Sequence, residues 1–203
     1  MLFRSPIHAQ YNLHDRKVIV INTTLKGMNK SKVNFTLYDL KGKKIYSEQL
    51  QKDIPANSVT EYFVPDLPEI LPEVYLVRLI LTNERGEEIS LNDYWKTANI
   101  NFYQFNQLKE IGLKAKRISS RQNDVLIFEL TNNSLVPAIG VKLGLRNQDT
   151  NERILPSIFS DGYFTLLPKE KRRFTVKYDK LDPVVLTIEG YNVADQSFSV
   201  KMR

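Results

Sequence analysis

The sequence predicts an all-β protein made of two tandem immunoglobulin-like β-sandwiches with a short helical connector. Three observations support this fold class. Apolar and polar residues alternate with a period of two, for example over residues 33–37, 141–145 and 174–178, which is typical of strands with one buried and one wet face. Turn-forming residues separate these runs. No segment has the length and the apolar periodicity of a core helix.

The first half of the chain contains a full set of sandwich strands. Turn signals, such as Lys41-Gly42-Lys43 and the stretch from Asn83 to Gly86, separate neighbouring candidates. Seven short strands in about 100 residues is the count expected of an immunoglobulin-like sandwich. The seven predicted strands span residues 8–12, 17–22, 32–38, 44–50, 58–64, 74–82 and 88–95.

The second half repeats this organisation, so we predict two domains, residues 1–97 and 98–203. Between the two sets, Leu108 and Ile111 lie three positions apart within residues 105–111, and Gly112 follows. This pattern predicts a connector of one or two helical turns. The strands predicted for the second half span residues 113–118, 124–132, 140–147, 163–167, 172–178, 184–191 and 196–202.

Two predicted strands are apolar on both faces. They are Val18 to Ile21 and the run from Val74 to Leu81, which only Arg78 interrupts. Strands of this kind lie in the centre of a sheet or are covered by a neighbouring domain.

The chain is poor in residues that carry catalysis or bind metals. It has no cysteine and two histidines, His8 and His14. A zinc site needs three or four ligands, and a serine–histidine–acid arrangement would have to use one of the same histidines. No phosphate loop, nucleophile elbow or calcium loop is present. We therefore predict no catalytic residue, no cofactor and no metal site in this chain.

Paired carboxylates are the remaining route to hydrolysis. The 23 acidic residues give many chance pairs on a β protein, including candidates such as Glu87, Glu88 and Asp93. A carboxylate pair cleaves a glycoside only where a cleft raises the pKa of one member, and the sequence gives no sign of such a cleft.

Aromatic side chains are the candidates for a binding surface, because sugar rings stack on them. Tyr94 and Trp95 end the last strand of the first half, and Trp95 is the only tryptophan. Tyr163 follows the Asp161-Gly162 turn. We predict that Tyr94, Trp95 and Tyr163 contact either carbohydrate or a domain interface, and a role of Trp95 as a core or interdomain anchor stays open.

The charge distribution argues against nucleic acid and membrane partners. The net charge is +6, but the positive residues are scattered among acids. The dense run over residues 169–173 is interpreted as a solvated hairpin turn and an outward strand face. No apolar run approaches the roughly 20 residues of a membrane helix. Residues 1–7 lack the apolar core of a signal peptide, so export would need a signal outside this sequence.

Four Asn-x-Ser/Thr triplets begin at Asn22, Asn29, Asn34 and Asn132. They mark glycosylation only in a eukaryotic secreted protein. Such triplets arise readily by chance in a chain rich in threonine and asparagine, so they carry little weight here.

Several segments resemble, in order, the domains that follow the catalytic barrel in glycoside hydrolase family 2. Residues 6–12 and 18–24 resemble the start of the first sandwich in the β-mannosidase and exo-β-D-glucosaminidase branch. Residues 35–42 are similar to a hairpin of that branch, and residues 91–95 to the end of one of its strands. Residues 160–170 are similar to the signature of its last immunoglobulin-like domain.

Two positions depart from that signature. Gly162 stands in place of the usual asparagine, and Lys169 in place of the usual glycine before Glu170. Both positions are predicted turns, and glycine at 162 tolerates a positive φ at least as well as asparagine. The departures therefore bear on hairpin geometry rather than on the family.

The resemblance implies that the chain is the non-catalytic accessory part of a larger exo-acting, β-mannosidase-like glycoside hydrolase. In that family the acid/base and nucleophile glutamates lie on a (β/α)8 barrel, which takes about 250 residues of alternating strands and helices. The implied partner is that barrel, on which the sandwiches would pack and which they would stabilise, with oligosaccharide as a second candidate partner. The parent protein would act on β-mannosides or related β-glycosides and would be periplasmic or secreted.

Two other hypotheses stay open. A free-standing carbohydrate-binding or cell-surface adhesion module would bind sugars in a manner that depends on Trp95 or Tyr94. A nucleic-acid-binding protein acting through residues 169–173 would show a steep salt dependence of affinity.

Overall fold

The computed structural model describes residues 5–120, 125–179 and 183–200. The chain divides into two compact units, residues 1–102 and 103–203. Each unit is built from two antiparallel sheets, so the predicted all-β fold with two immunoglobulin-like sandwiches is confirmed. None of the helices in the described ranges is long and apolar enough to cross a membrane.

Over its described residues, 5–102, the first unit contains seven strands in two sheets. The smaller sheet has the order β1-β2-β5 and the larger sheet has the order β4-β3-β6-β7. Neighbours such as β2 with β5 and β3 with β6 are distant in sequence, as the Greek-key connections of immunoglobulin-like sandwiches require. The strands are β1 (Ile7–Tyr11), β2 (Val18–Asn22), β3 (Met28–Asp39), β4 (Lys44–Ile54), β5 (Ser58–Phe63), β6 (Val74–Thr82) and β7 (Glu88–Thr97).

The core of this unit lies between its two sheets. On β3, Val33, Phe35 and Leu37 are fully buried, in agreement with the alternation that predicted this strand. Tyr11 and Phe35 meet edge to face with ring centroids 5.4 Å apart, which joins the two sheets at the level of β1.

The second unit begins with the connector and continues, in the ranges that the structure describes, with eight strands. The connector is a short 3-10 helix, Tyr103–Gln107, which begins two residues before the predicted segment 105–111 and ends four residues before the end of that segment. One sheet has the order β12-β10-β14-β15 and the other has the order β11-β13-β9-β8. The strands are β8 (Lys114–Ile118), β9 (Val125–Thr131), β10 (Ala138–Asn147), β11 (Ser157–Phe159), β12 (Tyr163–Leu166), β13 (Lys171–Tyr178), β14 (Val184–Gly190) and β15 (Val193–Val200).

The core of the second unit is centred on stacked aromatic rings. Phe164 of β12 and Phe174 of β13 stack with centroids 4.2 Å apart, although their strands belong to different sheets. The Arg172 guanidinium lies over both rings, 5.5 Å and 5.4 Å from their centroids, and pairs with Asp161 at 2.8 Å. This cluster therefore packs the two sheets of the second unit against each other.

The turn geometry differs from the expectation for Gly162. Gly162 is not among the residues with a positive φ, so its freedom to adopt one is not used. Lys169 instead has a φ of 64°, at the position where the resembling signature carries glycine. Neither residue lies in the predicted hairpin, because β12 belongs to a different sheet from β11 and β13. The strained residue is thus Lys169, in the connection from β12 to β13.

Candidate functional site

Tyr94 lies on β7 with its ring turned toward the core of the first unit. Its hydroxyl accepts a hydrogen bond from the backbone N–H of Tyr11 at 3.3 Å, and the two rings meet edge to face with centroids 6.2 Å apart. Burial raises the pKa of the Tyr94 phenol above its ordinary value. Most of this ring is thus committed to packing.

Tyr94 is one of three side chains that join β7 to the backbone of β1. Ser90 Oγ accepts from the N–H of Ala9 at 3.1 Å, and Asn92 Nδ2 donates to the Ala9 carbonyl at 2.5 Å. Because side chains alternate along a strand, Ser90, Asn92 and Tyr94 all point to the same side. They close one edge of the sandwich where no backbone ladder joins the two sheets.

Trp95 points to the opposite side of β7 from Tyr94, so the two predicted residues do not share a site. It is half-buried and lies across from Leu76 of β6 in the sheet register. Leu76 is fully buried and Arg78 is 4% exposed, although both point away from the core of this unit. The side of β6 and β7 that bears Trp95 is therefore largely withdrawn from solvent.

Tyr163 belongs to the second unit and is the most exposed of the three predicted aromatics. It is 73% exposed, starts the edge strand β12, and pairs with Lys142 of β10. Its neighbour Phe164 points inward, so the two adjacent aromatics divide between surface and core. The Tyr163 ring is therefore open to a ligand, whereas the Tyr94 ring is mostly packed against the core of the first unit.

An open groove adjoins Tyr94 on the first unit. It has a volume of about 580 Å³ and is lined by Tyr94 and residues 10–15, which end β1 and form the β1–β2 turn. Gln10 Nε2 donates to Asn12 Oδ1 at 2.8 Å, and Asp15 Oδ1 accepts the N–H of Lys17 at 3.0 Å. That last bond holds the pKa of Asp15 below its ordinary value.

The chemistry of this groove is that of a weak polar binding surface. Amide, imidazole and phenol groups can hydrogen-bond sugar hydroxyls, but the lining includes one carboxylate, Asp15. The two-carboxylate arrangement of a glycosidase site is therefore not formed there. Whether Tyr94, Trp95 or Tyr163 contacts carbohydrate stays a prediction.

The histidines do not assemble a metal centre in the part of the chain that the structure describes. There, no group of three or more histidine, aspartate or glutamate side chains is placed to hold a metal ion. His8 Nδ1 lies 3.0 Å from the Ser5 carbonyl oxygen, a local contact within the N-terminal segment.

Two of the Asn-x-Ser/Thr triplets have a structural role that the sequence reasoning missed. Asn22 is 1% exposed, and its Nδ2 donates to the carbonyls of Lys26 at 2.9 Å and Pro55 at 2.8 Å. Its Oδ1 accepts from the backbone N–H and the hydroxyl of Thr24 at 2.9 and 2.8 Å. These four hydrogen bonds of the buried Asn22 side chain hold the loop that follows β2 in place, and we call this arrangement an asparagine clasp.

Asn132 forms the same clasp after β9 of the second unit. Its Nδ2 donates to the carbonyls of Val136 at 2.9 Å and Leu166 at 3.0 Å, and its Oδ1 accepts the N–H and hydroxyl of Ser134 at 3.0 and 2.7 Å. The signal in the sequence was the recurrence of the triplet after the second strand of each half, followed in both by leucine.

Comparison with known protein families decides the membership of the chain. The family model of the exo-β-D-glucosaminidase Ig-fold domain matches residues 92–193, half of the chain. The chain belongs to this family. A second family model, of the mannosidase Ig/CBM-like domain, matches residues 14–98.

Relatives of known activity cover nearly all of the chain but contain much more. The exo-β-D-glucosaminidase of Hypocrea virens is 27% identical over 215 residues, which take in 92% of this chain and 24% of the relative. The exo-β-D-glucosaminidase of Streptomyces avermitilis is 25% identical, over 95% of this chain and 25% of the relative. The chain thus spans about a quarter of the length of these relatives.

Solved structures share the fold of the chain. The exo-chitosanase CsxA of Amycolatopsis orientalis matches with a TM-score of 0.81 and 22% identity, over 97% of this chain and 26% of that one. A complex of a variant of that enzyme with PNP-β-D-glucosamine gives a TM-score of 0.83 at the same identity. These findings support the exo-β-D-glucosaminidase part of the predicted branch and give no specific support to the β-mannosidase part.

Proposed function

We propose that the chain forms the accessory immunoglobulin-like part of a larger exo-acting glycosidase that cleaves β-D-glucosaminides. The observation that carries this proposal is the family match over residues 92–193, together with relatives of which the chain covers 24% and 25%. The rest of such a parent would hold the catalytic barrel. The two sandwiches would pack on that barrel and stabilise it, and the parent would be periplasmic or secreted.

Exposed leucines on the two clasped loops support a docking role. Leu25 is 91% exposed and Leu135 is 79% exposed, and each follows the clasp of a buried asparagine, Asn22 or Asn132. Because the loop that carries each leucine is already held in place, little conformational entropy is lost when a partner buries the leucine side chain. These two side chains are therefore our candidates for contacts with the barrel.

The absence of catalysis in the chain itself is tested directly. The purified 203-residue chain should unfold cooperatively and release no 4-nitrophenol from 4-nitrophenyl β-D-glucosaminide or β-D-mannoside above the buffer rate. Turnover that copurifies with the folded chain, and that survives a second purification step, would overturn the proposal.

Tests of the proposed parent protein and of the docking role require the longer reading frame. We expect the DNA upstream of this chain to encode a barrel and an export signal. In that longer protein, Leu25→Ser combined with Leu135→Ser should lower the melting temperature of the barrel, while the same changes leave the isolated chain unaffected. Ile70→Ser is the matched control, because Ile70 is 88% exposed outside both clasps.

A carbohydrate-binding module is the second candidate function, and the 73% exposure of Tyr163 favours it. This hypothesis expects calorimetric heat on titration of the chain with glucosamine oligosaccharides, and loss of that heat in Tyr163→Ala. Trp95→Ala serves as the comparison, since the Trp95 ring is half-buried. Heat that persists in Tyr163→Ala would exclude Tyr163 as the platform.

A further inference from the structure

The outer face of the sheet that contains β8, β9 and β13 concentrates positive charge. Leu126, Phe128 and Leu130 of β9 point into the core, so Glu129 and Thr131 point outward. In the sheet register, Lys114 and Lys171 flank Thr131 on either side, and Lys116 and Arg173 flank Glu129. We name these four cations, Lys114, Lys116, Lys171 and Arg173, the basic face.

The basic face is poorly neutralised. Glu129 is the one carboxylate in its rows, and it pairs with Arg173 at 3.3 Å, which leaves the Arg173 side chain 70% exposed. Lys114, Lys116 and Lys171 are exposed, and within the described ranges no carboxylate lies within 4.0 Å of their ammonium groups. Half of the net charge of +6 of the chain is thus gathered on two neighbouring rows of one sheet face.

The geometry of the face suits a linear anionic chain. Alternate residues on a strand are about 6.7 Å apart, and β8 and β13 are separated by two strand spacings, about 9.6 Å. The cations therefore form two parallel columns with Thr131 and Glu129 between them. A polymer with fixed negative charges can neutralise both columns at once and release counterions on binding.

The outward side chains of these strands also indicate which polyanion fits. In the described part of β8, β9 and β13, the outward residues are charged, hydroxyl-bearing or aliphatic, and none is aromatic. Single-stranded nucleic acid is held largely by stacking on aromatic rings, and DNA grooves are read by a helix or a two-stranded ribbon. An open sheet face with cations and threonine hydroxyls offers neither, but it matches the sulfate, carboxylate and hydroxyl groups of an acidic polysaccharide.

We propose that the basic face binds an anionic polysaccharide, through the charge that sulfate and carboxylate groups share. This inference rests on residues of the chain alone and stands apart from the proposed glycosidase parent. A glucosamine polymer is ruled out as the ligand of this face, because its protonated amines would meet Lys114, Lys116 and Lys171.

The test uses the full chain and polysaccharides of different charge, among which dextran and dextran sulfate share one backbone. At physiological salt, dextran sulfate and polygalacturonate should bind, whereas uncharged dextran and cationic chitosan should not. The tighter of the two binders shows whether the face prefers sulfate or carboxylate groups. The affinity should fall steeply as salt is raised, because exposed charges are screened. A wild-type chain that binds neither polyanion overturns the proposal, and so does tighter binding of a DNA or RNA duplex.

Matched variants separate the face from net charge alone. Lys114→Gln with Lys116→Gln and Lys171→Gln should weaken polyanion binding at least tenfold. Lys41→Gln with Lys43→Gln and Lys44→Gln removes the same charge from an exposed hairpin of the other unit and should change affinity less than twofold. Equal losses in the two triple variants would show that any cluster of lysines suffices and would overturn the assignment. If the first triple variant does not fold, the single substitution Arg173→Glu replaces it, and it should also weaken polyanion binding.

Discussion

Arg78 of β6 and Asp93 of β7 form a two-armed ion pair on the side of their sheet that points away from the core. Arg78 Nε lies 2.8 Å from Asp93 Oδ1, and Nη2 lies 2.8 Å from Oδ2. The arginine side chain is 4% exposed and the aspartate 12%. Planar guanidinium and carboxylate groups match each other in this arrangement, so the pair fixes the register of two long strands.

Removal of one partner of this pair should be strongly destabilising. Asp93→Ala leaves the Arg78 guanidinium buried without its carboxylate, which costs about 3–5 kcal/mol of unfolding free energy in such pairs. Urea unfolding of the isolated chain measures this. Glu84→Ala is the control, because Lys30 and Glu84 pair at 2.7 Å with side chains 63% and 56% exposed, and its cost should stay below about 1 kcal/mol. Equal losses in the two variants would contradict this account.

Loss of the Asn132 clasp should lower the stability of the second unit more than the Asn-x-Ser triplet by itself indicates. Asn132→Ala removes four hydrogen bonds and leaves the buried carbonyl of Leu166 without this donor, so we expect a loss of about 2–4 kcal/mol. The neighbouring Asn133→Ala is the control, since the Asn133 side chain is exposed and should change stability by less than about 0.5 kcal/mol. The measurement is chemical unfolding followed by tyrosine fluorescence. A mild effect of Asn132→Ala would mean that the loop retains its shape without the clasp.

Lys169 offers a stabilising substitution. Its φ of 64° lies in the left-handed region, which costs a non-glycine residue about 1–2 kcal/mol. Lys169→Gly removes this strain but also removes the bond from Nζ to the Asn133 carbonyl and adds freedom to the unfolded chain, so a net gain of about 0.5 kcal/mol is expected by thermal unfolding. Lys171→Gly, two residues further on in β13, should instead be destabilising by about 1 kcal/mol. A loss of stability in Lys169→Gly would show that the side-chain contact outweighs the strain.

Alkaline pH should weaken the first unit through Tyr62. Its ring is 4% exposed, its hydroxyl donates to the Ser31 carbonyl at 3.1 Å, and burial, with a smaller effect of Asp53, raises its pKa from 10.0 to about 12. A pKa that is higher in the folded than in the unfolded state gives stability that is complete below pH 10 and is lost as the pH rises toward 12.

The measurement for Tyr62 is the unfolding free energy between pH 8 and pH 11.5 (roughly the range of the transition). Tyr62→Phe should start from a lower stability at pH 8, because the hydroxyl bond is lost, and should then decline less with pH than the wild type. Tyr163→Phe removes an exposed phenol and should keep the wild-type decline. Parallel declines for all three chains would place the alkaline sensitivity elsewhere.

Strand prediction succeeded where one face of the strand is buried. The alternation of Val33, Phe35 and Leu37 located β3, but the strand begins at Met28 rather than Lys32. The extra residues pair with the end of β4 in a ribbon that is largely exposed, and a ribbon without a buried face leaves no periodic pattern in the sequence. β11 was missed for a different reason, since three residues are too few to show a period.

The candidate contact residues show a different limit. Alternation places Tyr94 and Trp95 on opposite sides of β7, and their shared position at a strand end concealed this. The sequence could not show that the Tyr94 hydroxyl meets the backbone of Tyr11, because that contact joins residues far apart in the chain. Tyr163 and Phe164 follow a turn, and alternation predicts that they point to opposite faces, but only the structure decides that Phe164 is the buried one and Tyr163 the exposed one.

The sequence alone determined the all-β class and the two sandwiches, because period-two burial and turn chemistry are local properties that survive in a linear reading. It also excluded cysteine chemistry outright. The tertiary structure alone decided which strands pair across the sheets, that Asn22 and Asn132 are buried clasps, and that the basic face is one surface. Those features depend on residues brought together by folding, and hydrogen bonds and charges act over a few ångströms of space regardless of separation along the chain.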